Sequence, residues 1–305
     1  MFAYTVRRVL WLVPVLLGVA TITFVLMHVV PGGPWDQEKT LAPQVVQNLN
    51  RRYGLDKPVW RQYVDFLSKA ARGDLGVSYT YQDRSVTSII RSGFPVTASL
   101  GLIAFALSIG IGLPLGLAAA SKQNSLLDYF SVFFATSFAS TPGFVLGILL
   151  MILFSVNLHW LPTSGWGTPQ KIIMPAIALA ALPAAYTARL TRASVLEVIR
   201  QDYIRTARAK GLQETVIYYR HVLKNALIPV LTIMGPELAY LVTGSFIIEA
   251  LFSIPGVGRL FVQGVFQRDY GLIMGTVLFY AFIVAILNLV VDLLYAAVDP
   301  RIRLK

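Results

Sequence analysis

Cysteine is absent from the chain, which excludes disulfides, thiolate metal sites and a cysteine nucleophile and leaves the redox compartment open. Charge is scarce: Asp, Glu, Lys and Arg supply 13% of the residues, against about 25% in a soluble domain. The shortage is uneven. Long stretches are almost uncharged and the charges cluster between them, a distribution that excludes an ordinary globular enzyme. Motifs are missing too. No Gly-x-x-x-x-Gly-Lys-Ser/Thr run occurs, so the chain does not hydrolyse ATP by phosphate-loop machinery. The histidines, His28, His159 and His221, fall in separate segments without a His-Glu-x-x-His pattern, so neither a zinc peptidase nor any metal site is expected. Gly-x-Ser-x-Gly is absent, and no paired nucleophile and base suggests an intramembrane enzyme. No catalytic residue is expected.

What remains is apolar. The 305 residues are 56% hydrophobic with a mean hydropathy of +0.65, which excludes disorder. A membrane-spanning helix needs about 20 mostly apolar residues. Six segments qualify: Val9–Val30, Val96–Ala120, Tyr129–Leu158, Ile172–Leu190, Leu227–Ile248 and Leu272–Val298. The expectation is an all-α polytopic membrane protein with six transmembrane helices. The third and sixth segments exceed the minimum and can tilt. The fourth holds Pro175 and Pro183, so a kink is expected there. Arg7 and Arg8 give the first segment the look of a signal peptide. Its apolar run is too long for that, and Pro31-Gly32-Gly33 offers no cleavage pattern, so it is read as a retained helix.

Basic residues set the orientation. With the N-terminus inside, the inner segments hold 14 of the 26 Lys and Arg, eight of them between Arg189 and Ala226. The short outer loops hold only Lys171, Arg259 and Arg268, and the others lie in the long segment Pro31–Pro95. Both termini are therefore expected on the cytoplasmic side. The formal net charge of +11 then reads as topology, and no nucleic-acid partner is expected.

Outside the bilayer the first external segment carries helical patterns at Pro43–Tyr53 and after Pro58, where Val59, Trp60, Tyr63, Val64 and Leu67 share one face. That face suits a cap touching an external partner or the pore mouth, or equally an interfacial helix covering the spans. After the fifth span, Pro255, Gly256 and Gly258 force a turn backed by Leu260, Phe261, Val265 and Phe266. Either a re-entrant loop or a tight surface turn fits.

The largest internal loop, Arg189–Ala226, places Val195, Leu196, Val198, Ile199, Tyr203, Ile204 and Ala207 at helical spacing among basic residues. Gly211 ends the run as a residue just past a helix would. The loop is read as an interfacial helix held by anionic lipid, or as a docking helix whose Ala207 and Ala209 allow close approach to a cytoplasmic protein. Intramembrane carboxylates are few: Glu237, Asp292 and, near an external boundary, Glu249. Each needs a polar setting. Asp292 is expected to form an interhelical tie with Asn288 one turn before it, whereas Glu237 and Glu249 are candidates for lining a path.

Asp202-Tyr-Ile-Arg-Thr-Ala-Arg-Ala-Lys-Gly-Leu212 and Arg220-His-Val-Leu-Lys-Asn-Ala-Leu-Ile-Pro229 resemble the cytoplasmic signature loop of membrane subunits of binding-protein-dependent ABC importers. Ala207, Gly211 and Leu223 match the general pattern. Arg205, Thr206, His221 and Lys224 depart from it in the manner of the peptide and nickel branch. Further resemblance to the first membrane subunit of oligopeptide and dipeptide importers covers nearly the whole chain. It is carried by Pro31-Gly32, Tyr53–Pro58, Gly73–Ser78, Glu249 with Pro255–Gly258, Arg268-Asp269-Tyr270 and Tyr295–Arg301, with Glu38–Pro43 closer to the oligopeptide member.

The resemblance implies a type I ABC importer transmembrane fold with an external insertion after the first helix. Residues 1–30 would be the cytoplasmic N-terminus and first span, 31–95 an external segment, 96–298 the five-helix core with coupling loop 189–226, and 299–305 a cytoplasmic tail. Tyr203, Ile204, Arg205, Thr206, Ala207, Arg208, Ala209, Lys210 and Gly211 would engage an ATPase. The implied partners are a second permease subunit, two cytoplasmic ATPases holding ATP and Mg, an external peptide-binding protein, the peptide itself and the lipid bilayer. This chain would bind no cofactor. A corresponding subunit for dipeptides, nickel, glutathione or opines remains an alternative, as does a stand-alone secondary carrier. No internal 3+3 repeat supports the carrier.

Overall fold

The computed structural model describes residues 2–36, 41–81 and 84–298, with side chains described for 5–36, 41–81 and 84–293. The runs Glu38–Pro43 and Tyr295–Arg301 lie partly, and the tail 299–305 wholly, outside the described residues.

The order of elements is α1 (Phe2–Val29), α2 (Pro43–Tyr53), α3 (Val59–Ala70), α4 (Val86–Ser121), α5 (Leu126–Ser140) and α6 (Gly143–Leu150), which continues as π-helical Met151–Asn157. Then come α7 (Pro169–Val198), α8 (Asp202–Ala209) and α9 (Glu214–Val216), which runs through π-helical Ile217–Leu223 into α10 (Lys224–Val242). α11 (Phe246–Leu251), α12 (Val257–Phe266) and α13 (Tyr270–Val298) complete the chain. Among the described residues the one extended pairing is an isolated antiparallel bridge between Val77 and Ser85. Five helical segments are long and apolar enough to cross a membrane, or six when α5 and α6 count as one broken span.

Four expected spans change shape. The third is not one helix: α5 and α6 meet at 105°. Thr141 stands before Pro142 and takes an extended conformation (φ −100°, ψ 120°), while Pro142 lacks the N–H that would continue the ladder. α4 starts at Val86 rather than Val96 and runs through Pro95, because hydropathy marks apolar chain rather than helix. α7 passes unbroken through Pro175 and Pro183 and extends to Val198, so the start of the internal loop is a continuation of the span. Helical geometry likewise leads into α10 from Glu214.

The chain forms two compact units, Met1–Thr97 with Ser253–Lys305, and Ala98–Phe252. In the first, α1 lies along α13, and Ala20, Met27, Ile273 and Met274 bury together. Tyr63, Phe66 and Leu67 of α3 pack on this cluster, and Tyr63 Oη meets Thr21 Oγ1 at 2.6 Å. Arg8 and Asp292 join the two long helices at 2.8 Å. Gly271 permits a close crossing, since a Cβ there would stand 2.1 Å from the Val77 carbonyl oxygen.

Small residues dominate the second unit. α4 places Gly112 and Gly116 against the Ala184 and Ala188 carbonyls of α7, where an added Cβ would come within 2.5 Å at each position. Four-residue spacing on both helices makes one continuous seam, the close-approach packing that membrane helices use in place of hydrophobic burial. A larger side chain in such a seam costs about 1–3 kcal/mol through forced displacement.

Candidate functional site

The internal segment folds as a short helix pinned to its own unit. Ile204 is fully buried and Ala207 nearly so, packed with Val195, Ile217, Val222, Ala226 and Ala120. Tyr203, Arg205, Thr206, Arg208, Ala209, Lys210 and Gly211 are exposed. Ala207 therefore serves the anchor, and of the two alanines only Ala209 lies on the outer side. The helix stops through a six-to-one closure: the Leu212 N–H donates to the Ala207 carbonyl (3.4 Å) and the Gly211 N–H to that of Arg208 (2.9 Å). Gly211 sits at φ +75°, in the left-handed region that β-branched residues resist. Arg208 forks onto Glu214 at 2.8 and 3.3 Å, bracing the turn that follows.

In the same unit, Arg192 of α7 grips Asp128 of α5 with two hydrogen bonds, 2.6 and 2.8 Å, and the carboxylate is buried. The Asn124 N–H adds a third bond to it at 3.0 Å. Farther along the unit, Glu237 of α10 accepts from Ser108 of α4 and from Thr187 of α7, the latter at 3.4 Å. Both hydroxyl residues are fully buried and Glu237 is partly exposed. Glu249, in the first turn of α11, is fully buried. Asp292 ties to Arg8 rather than to Asn288, which is exposed.

The external segment folds around a polar clamp. Fully buried Asp269 accepts through one carboxylate oxygen from the Ser78 hydroxyl and from the Tyr79 and Thr80 N–H groups at 3.0 and 3.1 Å. Its other oxygen caps α13 at the Leu272 N–H, 3.0 Å. The Gly73–Ser78 and Arg268–Tyr270 runs, far apart in sequence, thus form one joint. Rings continue from it as Trp35, Tyr53, Tyr79, Tyr270, His28 and Phe24, with successive centroids 4.2–6.4 Å apart. Burial, helped by the Asp269 charge, pushes the Tyr79 hydroxyl above its ordinary pKa. A cavity of about 280 Å³ opens here, with Tyr53, Tyr79 and Tyr270 in its wall and Arg51, Lys57 and Lys69 also lining it. On the same segment the Lys57 ammonium holds the Asp65 carboxyl below the usual range through a 2.6 Å bond.

The family described as binding-protein-dependent transport system inner membrane component matches residues 112–304, and its N-terminal counterpart matches residues 1–101. The chain belongs to this family. Among curated relatives, the oligopeptide transport system permease protein OppB of Escherichia coli (strain K12) is 42% identical over 305 residues, covering 99% of this chain and 100% of the relative. The dipeptide transport system permease protein DppB of Bacillus subtilis (strain 168) is 43% identical over 304 residues, covering 100% and 99%. Of solved structures, the MetNI methionine ABC transporter in inward-facing conformations aligns with a TM-score of 0.58 at 21% identity, over 69% of this chain and 96% of that one. An amino acid ABC transporter aligns at 0.57 and 18%, over 75% and 96%. The fold is that of the type I ABC importer permeases, and the chain is a multi-pass inner-membrane protein.

Reading this family member from its sequence missed Asp128, which opens α5 just before the expected span edge, and counted Arg192 only as a topological charge. Two opposite charges at the ends of neighbouring apolar runs were the available signal. Ser108 and Thr187 carried no signal of their own, because hydroxyl residues are ordinary in membrane helices. The matched spacing of Gly112/Gly116 and Ala184/Ala188 was readable and points to the α4–α7 seam.

Proposed function

We propose that this chain is one of two membrane subunits of an ATP-driven importer that moves oligopeptides delivered by an external binding protein. The observation that carries the reading is the outer side of α8. The helix is anchored by Ile204 and Ala207 and stopped at Gly211, and it exposes Tyr203, Thr206, Ala209 and Lys210. Cytoplasmic ATPases, which supply the bound ATP and Mg, would receive that side, with both termini of this chain in the cytoplasm. ATP binding would favour one orientation of the spans through contacts on α8 that differ between states. The OppB and DppB relatives make dipeptides the second reading for the cargo.

Gly211→Val tests the coupling. Space around Gly211 is open, with nothing within 4 Å of an added Cβ, so the change strains only the left-handed turn, by about 1–2 kcal/mol. Membrane insertion should persist while ATPase co-purification and peptide uptake are lost. Normal uptake by this variant would sink the docking assignment.

A further inference from the structure

Glu237 differs from Asp128 and Asp292 on other long helices. Asp128 and Asp292 each have an arginine partner. Among the described residues no ion pair reaches Glu237, whose partners are the hydroxyls of Ser108 and Thr187. Those donors come from α4 and α7, so three spans converge on one carboxylate. Both donors are fully buried, while Glu237 itself keeps part of its surface open. Tyr240, one turn on, is 57% exposed. A carboxylate turned toward lipid is disfavoured, so the open side calls for a polar space and a cation.

An importer of peptides with varied side chains has few features to recognise in every cargo. The α-ammonium and the terminal carboxylate are the two charges that all unmodified peptides share. We infer that Glu237, held by Ser108 and Thr187, is the counter-charge for the peptide α-ammonium during passage. The inference rests on the peptide-importer reading above and names the part of the cargo that this chain engages.

The test uses the complete transporter, with its second permease, ATPases and binding protein, in proteoliposomes. Uptake of a free peptide is compared with that of its N-acetylated form, each at a concentration that saturates the binding protein. The native complex should prefer the free peptide, and Glu237→Gln should reduce free-peptide uptake at least about tenfold. Acetylated uptake should fall far less, so that the free-to-acetylated ratio drops, and Glu237→Asp should restore part of the preference. An unchanged free-to-acetylated ratio in Glu237→Gln overturns the assignment. An equal fall for both peptides with a lowered melting temperature also overturns it, in favour of a structural tie. Should Glu237→Gln fail to assemble, Ser108→Ala keeps the carboxylate and should lower the ratio; an unaltered ratio there counts against the inference. Failure of the native complex to take up either peptide overturns the importer reading itself.

Discussion

The two units of the molecule are held together by different chemistry. The unit of α1, α3, α12 and α13 is joined by a buried carboxylate with four donors and a chain of stacked rings. The unit Ala98–Phe252 is closed by glycine and alanine seams, crossed at a few points by ionic or polar ties. Interlocked rings and a multidentate clamp resist displacement, because any shift breaks several bonds at once. A seam of small residues has little relief to hold it in one register, so its polar ties decide which register is favoured.

Breaking each tie sharpens the contrast. Asp269→Ala strands three N–H groups and a hydroxyl, and the expected loss is about 3–6 kcal/mol from several unsatisfied donors at about 1–3 kcal/mol each. The check is thermal unfolding in detergent, with loss of order in residues 73–80 followed by proteolysis. Asp128→Ala leaves a partly exposed Arg192 that water can reach, so its cost should be smaller, about 2–3 kcal/mol, below the range for fully buried pairs. Its signature is elsewhere: ATPase activity should lose its dependence on the binding protein, because α5 is no longer tied to the helix that leads into α8. Equal melting shifts for the two variants, or retained coupling in Asp128→Ala, would undo the comparison.

Legibility in the sequence follows the range of the interaction. α8 was readable in part because its spacing and its terminal glycine are local: Tyr203, Ile204, Ala207 and Gly211 stand as expected, whereas Val195, Leu196 and Val198 of the same expected run belong to α7. The bend at Thr141-Pro142 was hidden by apolar residues on either side, which make one hydropathy peak of two helices. The start of α4 was displaced because Ser88, Arg91 and Ser92 are polar yet helical. The Asp269 joint spans 191 residues of sequence separation from Ser78, beyond any periodic pattern. It was visible only as two separate short runs shared with a family.

The central claim, that the outer side of α8 meets an ATPase, can be tested through the chain's lack of cysteine. A single Ala209→Cys is then the only thiol this subunit carries. Maleimide labelling of that thiol is compared between the subunit alone and the assembled transporter. The account expects rapid labelling alone, strong protection in the complex, and a bifunctional cross-link from this position to an ATPase. Equal labelling in both states, with no cross-link, would contradict it.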